Sequence, residues 1–297
     1  MPLIECVPNI SEGRNRETID AVARAVEAAG GRMLDLHMDA DHHRSVLTFV
    51  GDPEVLADAA LGMVREAVDR IDLRGQHGVH PRVGAVDVIP FVPLRDATMA
   101  DAVVLAQRAG RSIADRLGIP VFLYEEAASS THRRNLATIR RGQFERLGAK
   151  LAQPDWAPDF GPSRPHPTAG LTVVGARTFL VAFNVVLDTE DLSIAQRIAA
   201  TIREADGGLA GVKALGLPLA SCGAVQVSMN LTRPDATDVP EAYSAVARHA
   251  ADLGVAVRGS EIVGLVPRAA VHGATTESLR LDRDLESVVL ENRLGWT

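Results

Sequence analysis

Along these 297 residues, stretches with apolar positions at helical spacing alternate with short apolar runs of strand type. That alternation favours an α/β or α+β architecture in which helices lie on sheets. Ile19, Val22, Ala23, Val26 and Ala29 share one helical face, and Gly30-Gly31 supplies the stop. Residues 45–50 read as a strand, 53–68 as a second helix, and 86–91 as another strand. Thr98 with Asp101 resembles a capping box, opening a helix that runs through Val104 and Ile113 until Gly118 and Pro120 end it, and residues 121–124 return as a strand. In the second half, strands at 179–187, 224–231 and 255–263 with helices at 192–205 and 240–253 resemble a βαββαβ arrangement, the pattern of a ferredoxin-like sheet.

The length exceeds the usual size of one domain, so two subdomains are expected. A hydrophobic share of 46% with 23% charged residues places the chain among ordinary globular proteins. Its net charge of -7 argues against a general nucleic-acid binder, which needs a concentrated Lys/Arg surface. Any anionic ligand must then be met by local arginines. Cys6 and Cys222 are far apart and lack a CxxC partner, so neither a disulfide framework nor a structural zinc site is indicated, and a reducing cytoplasm fits. Residues 1–12 lack the basic and apolar regions of an export signal, and no run approaches a membrane span.

The stretch from His77 to Phe91 sets a histidine, His80, on a Gly/Pro-constrained loop that enters an apolar strand. Pro81 limits the backbone of His80 to extended conformations. An imidazole both accepts and donates a proton near neutrality, so one fixed beside Arg82 suits acid/base work on an anionic substrate. Asp39, Asp41, His42 and His43 with His77 and His80 contain enough donors for a metal site, but no HExxH or similar spacing appears, and a polar turn before the 45–50 strand is the plainer reading. No GxSxG elbow is present, and the segment from Gly207 to Lys213 lacks the phosphate-cradle pattern. Residues 148–170 gather Pro154, Pro158, Pro162, Pro165 and Pro167 with little helical periodicity, marking either a linker or a binding loop.

Read together, these segments resemble one family. Glu5-Cys6-Val7-Pro8-Asn9-Ile10-Ser11-Glu12-Gly13-Arg14 is similar to the opening motif of the formimidoyltransferases. His42-His43-Arg44-Ser45-Val46, the block from His80 to Phe91, Trp156-Ala157-Pro158-Asp159-Phe160-Gly161-Pro162 and Gly175-Ala176-Arg177-Thr178-Phe179 follow in family order. Gln226-Val227-Ser228-Met229-Asn230-Leu231 and Val263-Gly264-Leu265-Val266-Pro267 continue the resemblance in the second half. The chain departs from the family pattern at His43, where an Asn is usual, at Glu125, where YGEAA has Gly, and at Gln143, where a Glu is usual. Arg164, Pro165 and His166 are also atypical.

The resemblance implies an α+β protein of two α/β subdomains, residues 1–177 and 178–297, with mainly antiparallel, ferredoxin-like sheets facing each other across a tunnel and helices outside. It implies transfer of the formimidoyl group from N-formimidoyl-L-glutamate to the 5-nitrogen of tetrahydrofolate, a late step of histidine breakdown, with folate as co-substrate and no metal. The family's catalytic histidine falls on His80, and its folate-binding loop on Gly161, Pro162, Ser163, Arg164, Pro165, His166, Pro167, Thr168, Ala169 and Gly170. Because both substrates carry carboxylates, Arg82 and Arg44 are the expected clamps, with Asp39, Asp41 and His43 beside them. A cytoplasmic homodimer is expected, with no nucleic-acid or membrane partner and the related cyclodeaminase activity on a separate chain or absent. Formyl transfer from N-formyl-L-glutamate and a metal-dependent amidohydrolase using His42, His43, His77 and His80 stand as alternatives.

Overall fold

A computed structural model describes residues 2–296 and divides into two units, Met1–Thr178 and Phe179–Thr297. The first begins with β1 (Ile4–Cys6), β2 (Asn9–Ile10), α1 (Arg16–Ala28), β3 (Arg32–Asp39), β4 (Arg44–Gly51), α2 (Pro53–Arg70) and β5 (Val86–Pro93). β1 and β2 occupy one lane: both pair antiparallel with β4 on one side and β5 on the other. Pro8 separates them, and its carbonyl still accepts from Leu47 N at 3.1 Å, so a residue without an N–H bends the strand without leaving the sheet. Counting that lane once, the segment is a βαββαβ unit with order β3-β4-β1/β2-β5. The ferredoxin-like pattern therefore occurs in the first half as well.

The same sheet is extended by α3 (Met99–Leu117), β6 (Val121–Glu125) and β7 (Thr172–Ala176), with β7 parallel to both β5 and β6. The capping box at Thr98 and Asp101 is present, and Gly118 ends α3 in the left-handed conformation at φ 65°. Ile4, Cys6, Ile10, Leu47, Phe49, Ile89 and Phe91 form one buried face with Ile19, Val22, Leu56, Met63, Leu105 and Ile113 from the three helices. On the opposite face Val83, Val88, Phe122, Tyr124 and Val173 are covered by the short helices α4 (Leu136–Arg140) and α5 (Leu147–Leu151), through Ile139, Leu147 and Leu151. Strands buried on both faces read as continuous apolar runs, which is why β5 and β6 were the clear ones.

The second unit runs β8 (Val181–Leu187), α6 (Leu192–Ile202), β9 (Val212–Leu219), β10 (Ala224–Leu231), α7 (Val239–Asp252) and β11 (Val257–Val263). All neighbours are antiparallel and the order is β11-β8-β10-β9, a ferredoxin-like sheet. β9 was not singled out as a strand in the sequence because Gly216 and Pro218 interrupt it; it is an edge strand, where a proline is tolerated. A Cβ on Gly216 would come within 2.4 Å of Gln196 N, so the glycine is what lets α6 lie directly on the strand. Three short helices, α8 (Thr276–Leu279), α9 (Leu285–Val288) and α10 (Leu290–Leu294), follow, and Leu279, Leu285 and Val288 join this core. Among the described residues no helix is long and apolar enough to cross a membrane.

Three of the departures from the family pattern share a backbone property: His43, Glu125 and Gln143 all have positive φ, at 51°, 51° and 54°. That region costs a side-chain-bearing residue about 1–2 kcal/mol, against about 0.5–1 kcal/mol for ordering a glycine. Glu125→Gly is therefore expected to stabilise the protein by roughly 0.5–1 kcal/mol. A rise of about 1–4 °C in the thermal unfolding midpoint is the measurement that checks it.

Candidate active site

The turn joining β3 to β4 is organised by its own side chains. Asp39 Oδ1 accepts from His42 N at 2.8 Å and Oδ2 accepts from His42 Nδ1 at 2.7 Å, so one carboxylate fixes both the turn and the buried imidazole. Burial alone would raise the Asp39 carboxyl, but the hydrogen bonds and charge of His42 hold it below the ordinary carboxylate range. His43 follows in its left-handed conformation with Nδ1 3.0 Å from the His77 carbonyl and Nε2 3.1 Å from Glu12 Oε1. Through these two contacts the ring bridges the N-terminal segment to the 77–80 loop. Glu12 also accepts from Arg14 N and Asn15 N at 2.8 and 2.9 Å, and these contacts outweigh its burial and keep it below its usual range.

Gly78 makes the next step possible. A Cβ there would sit 2.3 Å from the His42 carbonyl, so only glycine lets the 77–80 loop rest on the turn. Gln76 Nε2 donates to the His43 carbonyl at 2.8 Å, and Val79 N donates to the Asp41 carbonyl at 3.3 Å. These contacts deliver the half-buried His80 beside Arg44, the first residue of β4.

His80 Nδ1 lies 2.9 Å from the Pro81 carbonyl, and Arg44 Nη1 lies 2.5 Å from both ring nitrogens. The Pro81 carbonyl can only accept, so it assigns the hydrogen to Nδ1 and leaves the lone pair on Nε2, while the Arg44 guanidinium lies equally close to both ring nitrogens. Arg44 Nη2 donates to Asn9 Oδ1. The His42 ring stands edge-on to His80 with centroids 5.9 Å apart. Burial, followed by the charges of Arg44, Arg140 and His42, pushes His80 well below the usual histidine range, against the bond to Pro81. Arg44 is itself drawn down to about 9 by burial and by Arg140, opposed by Asp87 and Asp39. A neutral imidazole thus stands next to an arginine whose charge is poorly compensated, which is a base adjoining an anion site.

Arg82 takes a different position. Its Nε donates to Gln76 Oε1 at 2.7 Å, Nη2 to the Gln76 carbonyl at 2.9 Å and to Glu145 Oε1 at 2.8 Å, and Nη1 to Glu145 Oε2 at 3.1 Å and Gln143 Oε1 at 3.3 Å. All five N–H groups are engaged within the unit, and the side chain is buried. The structure therefore brings Asp39, Asp41, His43, Arg44 and His80 together, while the fork of Arg82 is used to brace the loop.

The 161–170 loop docks on the strand entrance just beyond His80. Ala85 N donates to the Ala169 carbonyl at 3.0 Å, Leu171 N to the Val83 carbonyl at 3.0 Å, and Leu73 N to the Thr168 carbonyl at 2.9 Å. Gly170, at φ 69°, could carry no side chain because a Cβ would meet the Val83 carbonyl at 2.2 Å. His166 Nδ1 accepts from Ala169 N at 3.1 Å, so this atypical residue closes the loop on itself, while Ser163, Arg164 and Pro167 are exposed.

Asn9, Glu12, Gln76, Asp87, Arg140 and Glu145 belong to the same constellation and were not singled out from the sequence. Asn9 and Glu12 lie inside the opening motif, Asp87 inside the His80 block, and Glu145 close to Gln143. None has a spacing that signals chemistry by itself. Among the described residues no three His, Cys, Asp or Glu side chains are grouped so as to hold a metal.

The family model described as "Formiminotransferase domain, N-terminal subdomain" matches residues 3–177, and "Formiminotransferase domain" matches 182–292. The chain is 44% identical over 294 residues to a glutamate formimidoyltransferase of Streptococcus pyogenes serotype M1, covering 98% of each chain. It is 44% identical to the glutamate formimidoyltransferase of Thermoplasma acidophilum, covering 99% of this chain and 98% of that one. Against the formimidoyltransferase-cyclodeaminase of Sus scrofa the identity is 43%, over 99% of this chain and 56% of the larger protein.

Proposed function

This chain belongs to the formiminotransferase family, and on that premise we propose that it transfers the formimidoyl group of N-formimidoyl-L-glutamate to the 5-nitrogen of tetrahydrofolate. The observation that carries the reading is the His80 imidazole held by the Pro81 carbonyl at Nδ1 and set directly against the Arg44 guanidinium, on the loop that enters β5. The pterin 5-nitrogen attacks the amidinium carbon, forming a C–N bond and a tetrahedral intermediate. His80 Nε2 takes the proton from the attacking nitrogen and returns it to the glutamate nitrogen, whose bond to carbon then breaks to release glutamate. Such a shuttle contributes about 10²- to 10⁴-fold.

Arg44 supplies the anion site: a substrate carboxylate offers it a stronger, charge-assisted partner than a neutral imidazole and draws it off Nε2. Asp39 and His43 hold the turn that presents it, with Asp41 alongside, and the 161–170 loop carries the folate. Arg82 braces His80 rather than touching substrate. The enzyme is taken to be a cytoplasmic homodimer of the histidine-degradation pathway.

A parallel assay of the purified protein with tetrahydrofolate and either formimidoylglutamate or formylglutamate tests the reading. The expected result is the absorbance of 5-formimidoyltetrahydrofolate from the first donor and little product from the second. Equal or faster turnover of formylglutamate would transfer the assignment to formyl chemistry.

A further inference from the structure

We propose that Asp87 and Arg140 form a positioning pair for His80: their ion pair ties the 80–83 loop to the sheet and supplies part of the charge balance around the imidazole. The proposal rests on the reading of His80 as the proton-transfer group.

Asp87 lies in β5 and is 2% exposed. Its Oδ1 accepts from Val83 N at 2.7 Å, three residues beyond His80. Its Oδ2 accepts from Arg140 Nε at 2.8 Å and from Arg140 Nη2. Both oxygens of this deeply buried carboxylate are thereby engaged, and they fix the backbone that follows the His80 loop. Arg140 is the last residue of α4, whose Ile139 packs with Val83, Val88 and Tyr124 over the sheet. The pair therefore connects the covering helix, the strand and the loop at one point.

Arg44 from β4 contacts His80 directly and the His42 ring of the β3–β4 turn stands edge-on to it, while the charge of Arg140 from α4 acts on it through space. Asp87 from β5 and Asp39 from β3 oppose the effect of Arg140 on Arg44. Removing Asp87 leaves Arg140 uncompensated and makes His80 harder to protonate, whereas removing Arg140 makes it easier. A brace without electrostatic influence would loosen the loop in both cases and give no opposed effect.

The test is an NMR titration of the His80 ring in Asp87→Asn and Arg140→Gln, alongside steady-state kinetics. The midpoint is expected at lower pH than wild type in D87N and at higher pH in R140Q. Turnover is expected to fall about 10- to 100-fold in both, with KM for the donor changed less than about threefold, as for a displaced proton-transfer group. Midpoints that stay in place, or that move the same way in both variants, overturn the proposal. Should D87N not fold, R140Q and Arg140→Lys carry the test, since lysine keeps the charge and should keep the midpoint. A wild-type protein without formimidoyl transfer would defeat the functional reading, while the titration would still decide the role of the pair.

Discussion

Replacing His80 with alanine is expected to lower turnover by about 10²- to 10⁴-fold while leaving tetrahydrofolate binding within a few-fold of wild type. The loss follows from the assignment of the imidazole as the carrier between the attacking and departing nitrogens. Retention of folate follows from the separate backbone hydrogen bonds that hold the 161–170 loop to residues 73, 83 and 85. The wild-type pH profile provides an independent check. Because burial, Arg44, Arg140 and His42 depress His80 well below 6.5, the base form persists through neutrality. Activity should therefore be flat around pH 7 and fall only on the acid side of 6.5, and the His80 variant should lose that acid limb. The stability contribution has the same sense: below the unfolded pKa the unfolded chain binds a proton that the folded chain resists, so His80 costs stability as pH falls. Turnover of the alanine variant at the wild-type rate would remove His80 from the chemistry.

Much of this architecture was legible because the elements buried on one or both faces advertise their periods. Helices α2 and α3, strands β5 and β6, and the alternating strands and helices of the second unit stand within a few residues of their expected limits. What escaped was the partly exposed strand β3 with sequence Arg-Met-Leu-Asp-Leu-His-Met-Asp, the edge strand β9, and the broken β1/β2 lane. In each, polar residues or prolines obscure the period that burial would impose. β7 was hidden for another reason: it follows the Pro-rich stretch and pairs in parallel with strands distant in sequence.

The site was legible in part for a similar reason. His80 is announced by its Gly/Pro surroundings, and the turn before β4 by its Asp/His composition. The network behind them joins residues 50 to 80 positions apart, as in Arg140 with Asp87 and Arg82 with Glu145, and no local spacing encodes those contacts. The 148–170 segment divides: its first part forms short helices and turns against the sheet, while 161–170 runs as a docked loop. The unusual residues at 43, 125 and 143 were visible as departures, and only the backbone reveals their common positive φ.

Arg82→Ala is the substitution that most directly separates a brace from a clamp. In the sequence Arg82 is the natural partner for a substrate carboxylate, placed two residues after His80. In the structure its five donors are divided among the side chain and carbonyl of Gln76, Gln143 and Glu145. Glu145 is 57% exposed at its side chain and recovers water when the guanidinium is removed, whereas Gln76 is 5% exposed and does not. Leaving both acceptors of a buried glutamine without donors costs roughly 3 kcal/mol. The thermal midpoint should then fall by about 6–12 °C. The KM for the glutamate donor should change less than about threefold, and turnover should drop as the His80 loop loosens. A clamp would behave in the opposite way, raising KM about tenfold or more with the midpoint nearly unchanged. Lysine sharpens the distinction, because one ammonium restores charge for a carboxylate but cannot reproduce a forked set of five hydrogen bonds. Arg82→Lys is therefore expected to remain close to the alanine variant in melting temperature, and a lysine that restores donor affinity without restoring stability would assign Arg82 to substrate.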